Sequence, residues 1–323
     1  MEELTMITQL KITAEDEKRV KGMGFLRNKG TDCFSARLIT VNGKITAAQN
    51  KCLSEATDLY GNGFVTFTTR LTVECQGIHY DNIEKFQEYI AKEGLVTGGT
   101  GSKVRPVVSC KGSTCQYGLI DTFGFSEEIH ERFYNGYAKV KLPHKFKIAV
   151  GGCPNNCVKP DLNDIGIIGQ RIPNYDEDGC NGCKKCSVVE ACPIKVAKLE
   201  DGILEIDKDL CNNCGRCVGK CHFDCIEDGT TGYKIYIGGR WGKSIAQGVA
   251  LSKVFTTKEE ALDVVEKLIL LYREQGQTGE RLSQTIERIG FEVIEKELLS
   301  DDIWARKQEI LDSKLHLVGG ATC

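Results

Sequence analysis

Of the seventeen cysteines in this chain of 323 residues, twelve fall into three spaced groups, and thiols arranged in that way either ligate metal or pair as disulfides. Cys180, Cys183 and Cys186, followed by Cys192-Pro193, form C-x2-C-x2-C-x5-C-P, while Cys211, Cys214, Cys217 and Cys221 form C-x2-C-x2-C-x3-C. Three thiolates at successive three-residue steps wrap one face of an iron–sulfur cubane, whereas a tetrahedral zinc usually takes two ligands from each of two knuckles. In the bacterial two-cluster pattern the fourth cysteine of each run serves the other cluster. The spacing therefore predicts one 4Fe-4S centre on Cys180, Cys183, Cys186 and Cys221, and a second on Cys211, Cys214, Cys217 and Cys192. Two departures stand out: the first run carries two extra residues before Cys192, and the second ends in Cys221-His222, with Cys225 as a conceivable substitute ligand. A pair of zinc sites is the alternative reading.

The third group is Cys110 and Cys115 with Cys153 and Cys157, on two short loops separated by about one helix and one strand. Taken alone, these four would suit structural zinc as well as a cluster. In KFKIAVGGCPNNC, residues 145–157, however, Lys145 and Lys147 precede the second pair at alternate positions of an extended run. Side chains at i and i+2 of a strand share a face, so the two ammonium groups can converge on one small anion.

The elements that must hold these residues read as an α+β arrangement. Residues 34–41 form a strand, an Asn42-Gly43 turn follows, and a helix runs over 46–60 with Ala48, Cys52, Ala56 and Leu59 at helical spacing and Gly61 as its stop. Residues 64–78 supply strand material, and 81–94 a helix with Asp81 as N-cap and Glu84 three residues on. A Gly-rich linker over 94–106 lacks the Gly-Lys-Ser/Thr order of a phosphate loop. A further helix lies near 126–134. Residues 172–231 are rich in Cys, Gly, Asn, Asp and Lys and poor in large apolar side chains, so metal must supply what a hydrophobic core does not. After them a strand resumes in YKIYIGG, and TTKEEALDVVEKLILLYREQ reads as an amphipathic helix with Thr257 and Glu260 as a capping box. The cysteine-rich block thus looks inserted between two parts of one domain.

With 42 basic and 45 acidic residues, the chain has no charge excess to make a broad nucleic-acid face. The N-terminal stretch MEELTMITQLKITAEDEKRV mixes charges from its second residue and has no signal-peptide core, and no window is long enough to span a bilayer, which predicts a cytoplasmic protein. Thiols in a reducing compartment favour metal over disulfides. Cys33, Cys52, Cys75 and Cys323 lack ligand spacing, and His144 is expected to point away from the lysine face.

Taken together, RPVVSCKGSTC, KFKIAVGGCPNNC and GNGFVTFTTRLTVECQGI resemble the motifs of the sirohaem-dependent sulfite and nitrite reductases, and above all the compact anaerobic sulfite reductase type with a ferredoxin insertion. The resemblance spans roughly residues 25–320. It implies a ferredoxin-like half domain over 1–95, a sirohaem and 4Fe-4S domain over 96–171 and 232–323, and a 2x4Fe-4S ferredoxin insertion over 172–231. It further implies that Cys110, Cys115, Cys153 and Cys157 hold a third 4Fe-4S cluster, with Cys157 also bridging to the sirohaem iron. Arg37, Arg105, Lys145 and Lys147 match the anion pocket, Arg70 matches a residue that binds sirohaem carboxylates, and Arg240 in Gly238-Gly239-Arg240 lies near the macrocycle unless that segment is a plain hairpin turn.

The implied reaction is six-electron reduction of sulfite, with nitrite as the alternative substrate. Plant-type nitrite reductases commonly carry asparagine at the second lysine position, and a second ammonium here matches the greater charge of sulfite. Electrons would come from a ferredoxin or from iron-sulfur or flavin partner subunits. Because larger relatives carry two copies of the unit, the resemblance leaves open a homodimer with sites at its interface, a larger complex with electron-delivering subunits, or a monomer. The rival readings are a haem-free polyferredoxin-like carrier and a zinc-stabilised binding module.

Overall fold

The computed structural model describes residues 12–317. The N-terminal stretch without a signal core lies partly outside those residues, and Cys323 lies wholly outside them.

The first unit opens with α1 (Ala14–Gly22), whose N-cap Thr13 shares a capping box with Asp16. Strands β1 (Phe25–Arg27) and β2 (Cys33–Leu38) lead to α2 (Ala47–Tyr60), which begins at Thr46 through a capping box with Gln49 and stops at Gly61. Then follow β3 (Val65–Phe67), β4 (Val73–His79) and α3 (Ile83–Ala91). The strands make an antiparallel sheet in the order β1-β2-β4-β3. Its helix-facing side buries Phe25, Phe34, Leu38, Leu53, Ile78 and Phe86, and Cys52 joins that core as its helical position predicts. Asp81 is not the cap of α3. A 3-10 turn over Tyr80–Asn82 precedes that helix, and the imidazole of the still-extended His79 accepts from the Asp81 amide at 3.4 Å.

The second unit is built on a five-stranded mixed sheet. Its elements are β5 (Val108–Ser109), α4 (Thr122–Ile129) extended by a π-helical turn over His130–Asn135, β6 (Ile148–Gly151) and β7 (Ile165–Pro173). After the cysteine-rich block, which contributes α5 (Ser187–Ala191) and the hairpin β8 (Ala197–Glu200) and β9 (Ile203–Ile206), come β10 (Gly229–Ile237) and β11 (Val249–Phe255). The sheet order is β11-β10-β7-β6-β5, parallel from β5 to β7 and antiparallel beyond. Regular pairing starts only at Ile148, so Lys145 and Lys147 flank Phe146, whose backbone bridges Val104.

The cysteine-rich block leaves the sheet after Pro173 and returns at Gly229, and those two residues face each other in the β7–β10 ladder. Its own apolar core is small, consisting of Val188, Ala197, Leu204 and Ile226 with Cys192 and Cys225.

The helix α6 (Lys258–Gln275) caps through Thr257 and Glu260 as predicted, yet it is not a surface helix with one wet face. Every residue from 264 to 273 is buried, because α7 (Leu282–Ile289), α8 (Phe291–Leu298), α9 (Asp302–Ala305) and α10 (Lys307–Asp312) cover it. Its polar groups survive burial by pairing: Glu266 accepts from Lys307 and Tyr137, and Arg273 donates to the carbonyls of Ile310, Leu311 and Ser313.

Candidate active site

A cleft of about 410 Å³ opens between the first unit and the edge of the mixed sheet. Arg37 from β2, Arg70 from the β3–β4 loop, Arg105 from the segment before β5, and Lys145 and Lys147 from the segment before β6 all line it. With Lys21 at the end of α1, six cations from five separate stretches of chain meet at one place. The alternation of the KFK segment turns both lysines to the cleft and buries Phe146 between them.

Not all of these cations are equally open to a ligand. Arg37 is held by Glu74 across the β2–β4 pair, with Nε at 2.9 Å and Nη2 at 2.6 Å from the same carboxylate oxygen. Arg70 ties the two units together, donating to Asn163 Oδ1 at 2.9 Å and to the Pro106 carbonyl at 2.8 Å. The Arg70 Nε is nonetheless buried without a hydrogen-bond partner. Arg105 donates from Nη1 to the Gly99 carbonyl of the Gly-rich linker. Burial lowers the Arg70 guanidinium to about 10, Asp164 opposes that shift, and Arg105, Arg281 and Arg37 add to it. Lys147 is lowered to about 8, first by burial and then by Arg70 and Arg281, against the opposing pull of Asp164. A charge held at such a cost has most to gain from an incoming anion.

Arg240 is not among the residues lining the cleft. It exchanges two backbone hydrogen bonds with Ala246 across a loop of five residues. His144 does not line the cleft either: its Nδ1 accepts the Lys145 amide at 2.7 Å, and burial with the nearby cations lowers it to about 4. Sequence reasoning passed over the uncharged part of the lining and one further cation. Thr68, Thr69 and Thr72 stand beside Arg70, and Gly99, Thr100 and Gly101 of the Gly-rich linker complete the wall, with Lys21 at the end of α1. The doubled threonine before Arg70 was the available signal, and Lys21 carried none.

The Cys110/Cys115 loop and the Cys153/Cys157 loop pack against each other where Gly112 meets Gly152. The Gly152 amide donates to Cys110 Sγ at 3.1 Å. Burial raises the Cys153 thiol, the Asn155 amide opposes this, and Cys110, Cys157 and Cys115 act on it as like charges, so the four thiols are electrostatic neighbours. Cys157 is exposed and does not line the cation cleft. A Cβ on Gly152 would lie 2.9 Å from Gly112 Cα, 3.1 Å from Thr122 Cγ2 and 3.4 Å from Cys110 Sγ. Gly152→Ala is accordingly expected to cost about 1–3 kcal/mol as overpacking. A thermal melt checks this, and an unchanged midpoint would show that the loops separate freely.

In the inserted block, Cys192, Cys211, Cys214 and Cys217 line one small cavity. Burial raises the Cys211 and Cys217 thiols, and Cys192 is among the like charges acting on both. Burial also works against the Cys192 thiolate, but the amides of Ala197, Val196, Ile194 and Lys195 overcome it and lower the thiol. At the other end Cys225 Sγ lies 3.1 Å from Cys221 Sγ, with Cys180 and Cys186 within electrostatic reach. Burial pushes Cys225 up to about 12, whereas Cys221 is lowered: burial is outweighed by the Cys225 thiol and the Phe223 and Cys225 amides. Cys221 is the better thiolate of the pair.

The Cys192 group adjoins the loops that carry Cys115 and Cys153. The Arg171 amide on β7 donates to the Asn213 carbonyl at 2.8 Å, and the Gln170 side chain accepts from Asn213 Nδ2 at 3.0 Å. Two residues before Gln170, Ile168 pairs with Gly151 of β6, immediately ahead of Gly152 and Cys153. Arg216, between Cys214 and Cys217, lies 4.5 Å over the ring of Tyr117, two residues after Cys115.

Among the described residues no three His, Cys, Asp or Glu side chains close on a point as a single metal ion requires. The donors present suit a polyanionic tetrapyrrole and cubanes. Soft thiols gather as Cys110, Cys115, Cys153 and Cys157, as Cys192, Cys211, Cys214 and Cys217, and as Cys221 and Cys225 with Cys180 and Cys186, and six cations line one cleft, where the Arg70 Nε is buried without a hydrogen-bond partner. Arg70, Arg105 and the lysines would meet carboxylates or an oxyanion, and Cys110, Cys115, Cys153 and Cys157 would hold the adjacent cluster. Among the described residues no helix is long and apolar enough to cross a membrane.

Known proteins share this layout. Residues 26–93 match the nitrite/sulfite reductase ferredoxin-like half domain, and residues 100–305, well over half of the chain, match the nitrite and sulphite reductase 4Fe-4S domain. The chain is 32% identical over 233 residues to a coenzyme F420-dependent sulfite reductase of Methanocaldococcus jannaschii, a match covering 71% of this chain and 36% of that protein. It is 29% identical over 150 residues to a subunit of the anaerobic sulfite reductase of Salmonella typhimurium, covering 42% of each. The chain thus spans about a third to two fifths of the length of these two relatives. A crystal structure of dissimilatory sulfite reductase I superposes with a TM-score of 0.65 at 22% identity, covering 82% of this chain and 69% of that one, which speaks to the fold. On these matches, and on the paired half domain and cluster-bearing domain described above, the chain belongs to the nitrite and sulphite reductase 4Fe-4S family.

Proposed function

We propose that this protein reduces sulfite to sulfide at a sirohaem coupled to a 4Fe-4S cluster, with two further ferredoxin-type clusters in the inserted block feeding it electrons. The single observation that carries this reading is the convergence of Arg37, Arg70, Arg105, Lys145 and Lys147 on one cleft. The reaction takes six electrons and seven protons per sulfite dianion and releases hydrosulfide and three waters. The bound tetrapyrrole with its coupled cluster would supply the redox chemistry.

The chain's own residues do the rest. Lys145 and Lys147 offer mobile ammonium groups to the oxyanion, and Arg105 a fixed fork of donors. These charges are held in place before the anion arrives, so they stabilise charge building on the departing oxygens without reorganising. Lys147, lowered to about 8, is also able to give up a proton near neutral pH and regain it from water. Cys157 would be the thiolate shared between cluster and macrocycle, and Arg240 a contact at its rim. The inserted block would serve as a separate domain for electron entry, fed by a ferredoxin or by partner subunits. Two lysines in place of one favour sulfite over nitrite by charge.

The test is anaerobic purification with reconstitution, followed by absorption spectra, iron and acid-labile sulfide counts, and kinetics with an artificial reductant. We expect tetrapyrrole bands over a broad iron–sulfur absorbance and a higher kcat/KM for sulfite than for nitrite. A brown protein without haem bands would make it an electron carrier, and a colourless one a zinc protein. Preference for nitrite would remove the charge argument.

A further inference from the structure

Behind the cleft lies a charged pair that the proposed chemistry does not use. Asp164, just before β7, is fully buried. Arg281, at the start of α7, donates from Nη2 to both of its oxygens, at 2.9 and 2.8 Å, and is itself nearly buried. The second Asp164 oxygen also accepts the backbone N–H of Lys147 at 2.9 Å. The Arg281 Nε is buried with no partner.

A buried pair of this kind is a poor source of stability compared with apolar packing, so its retention calls for another reason. Its position supplies one. Asp164 accepts the backbone N–H of Lys147, a cleft lysine that burial and its neighbours lower to about 8, and Arg281 fixes Asp164 from the α7 side. The main charges acting on Lys147 are those of Arg70, Arg281, Asp164 and Lys145, and among these Asp164 favours the ammonium form. Arg37 and Arg105 add positive charge from the cleft lining.

We propose that Asp164 and Arg281 act as a positioning pair for Lys147, holding its backbone at the cleft wall and tuning the charge its side chain offers to an anion. The inference deepens the proposed function and rests on the cleft being an anion site.

The sign of the effect follows directly. Asp164 supports the ammonium, so Asp164→Asn, which keeps the shape and an acceptor for the Lys147 amide, makes Lys147 lose its proton at lower pH. Arg281→Lys keeps the positive charge and leaves the titration near that of the wild type. The experiment is competitive acylation of the anaerobic holoprotein across roughly pH 6 to pH 10, with the extent at Lys147 read by mass spectrometry. In parallel, nitrite, a monoanion that does not itself titrate in that range, is bound while tetrapyrrole absorbance is followed.

The expected result has three parts. Wild-type Lys147 titrates well below an ordinary lysine. Asp164→Asn lowers the midpoint by about one pH unit, a tenfold loss of proton affinity, and weakens nitrite binding near pH 8 by up to about tenfold. Arg281→Lys leaves both close to wild type. An Asp164→Asn protein that folds and titrates like the wild type overturns the proposal. A wild-type Lys147 that titrates as a solvent lysine also overturns it, with no variant needed. The labelling midpoint does not depend on turnover, so a protein unable to reduce sulfite still reports on the pair, while loss of the reductase reading shows separately in the kinetics.

Discussion

Cys157→Ala is expected to abolish sulfite reduction, lowering kcat/KM by on the order of 10³-fold or more, as when one member of a group acting as a unit is removed. The cause is chemical rather than steric. Cys157 is exposed at the end of the loop that begins with Cys153, and it is the thiol of the four best able to reach a group outside its own loop. Cys110, Cys115 and Cys153 are less exposed, and Cys110 is packed against Gly152, so the loops themselves should survive the change. The checks are turnover with an artificial reductant and the magnetic and optical signature of the haem. An alanine protein that keeps wild-type turnover and an unchanged tetrapyrrole spectrum would sink the bridging role.

Cys192→Ala should have the second largest effect, and of a different kind. Cys192 sits in one run of cysteines but lines its cavity with Cys211, Cys214 and Cys217 of the other. On the proposed reading its loss removes a cluster ligand from the group that adjoins β7 at Asn213 and, through Arg216, the ring of Tyr117. Iron and labile sulfide should drop by one cluster's worth. Turnover with a reduced ferredoxin should fall at least about 100-fold, more than loss of an outer hydrogen-bond partner costs a metal site. Turnover with a small dye that reaches the catalytic unit directly should fall much less. Equal losses with both donors would mean that the inserted block does not carry the current.

Much of the candidate site was legible because its signals are local. Cysteine spacing encodes how a loop can wrap a cluster, and the grouping of Cys192 with Cys211, Cys214 and Cys217 follows the crossed pattern that spacing suggests. Alternation in the KFK segment put both lysines on one wall, and three capping boxes marked the starts of α1, α2 and α6 through short-range bonds, two of them at the residues expected from sequence or one step away. What remained hidden depends on distant chain. Arg37 meets Glu74 only through a strand register that contains an irregularity between Phe34 and Ala36. Asp164 and Arg281 are 117 residues apart, and neither belongs to a motif. The burial of α6 from residue 264 to 273 comes from four short helices after it, whose cover no periodicity within α6 can reveal. Asp81 was misplaced as a cap because an imidazole competed for the same role.

The facing of Pro173 and Gly229 has a consequence for descent as well as for chemistry. Strand residues directly opposite each other lie only about 5 Å apart. A segment that departs and rejoins across such a gap can be gained, lost or exchanged while the ladder behind it keeps every rung. The cysteine-rich block therefore sits as a graft at the end of a strand pair, and on the proposed reading evolution could alter how many electron carriers the protein owns without redrawing the sheet that bears them.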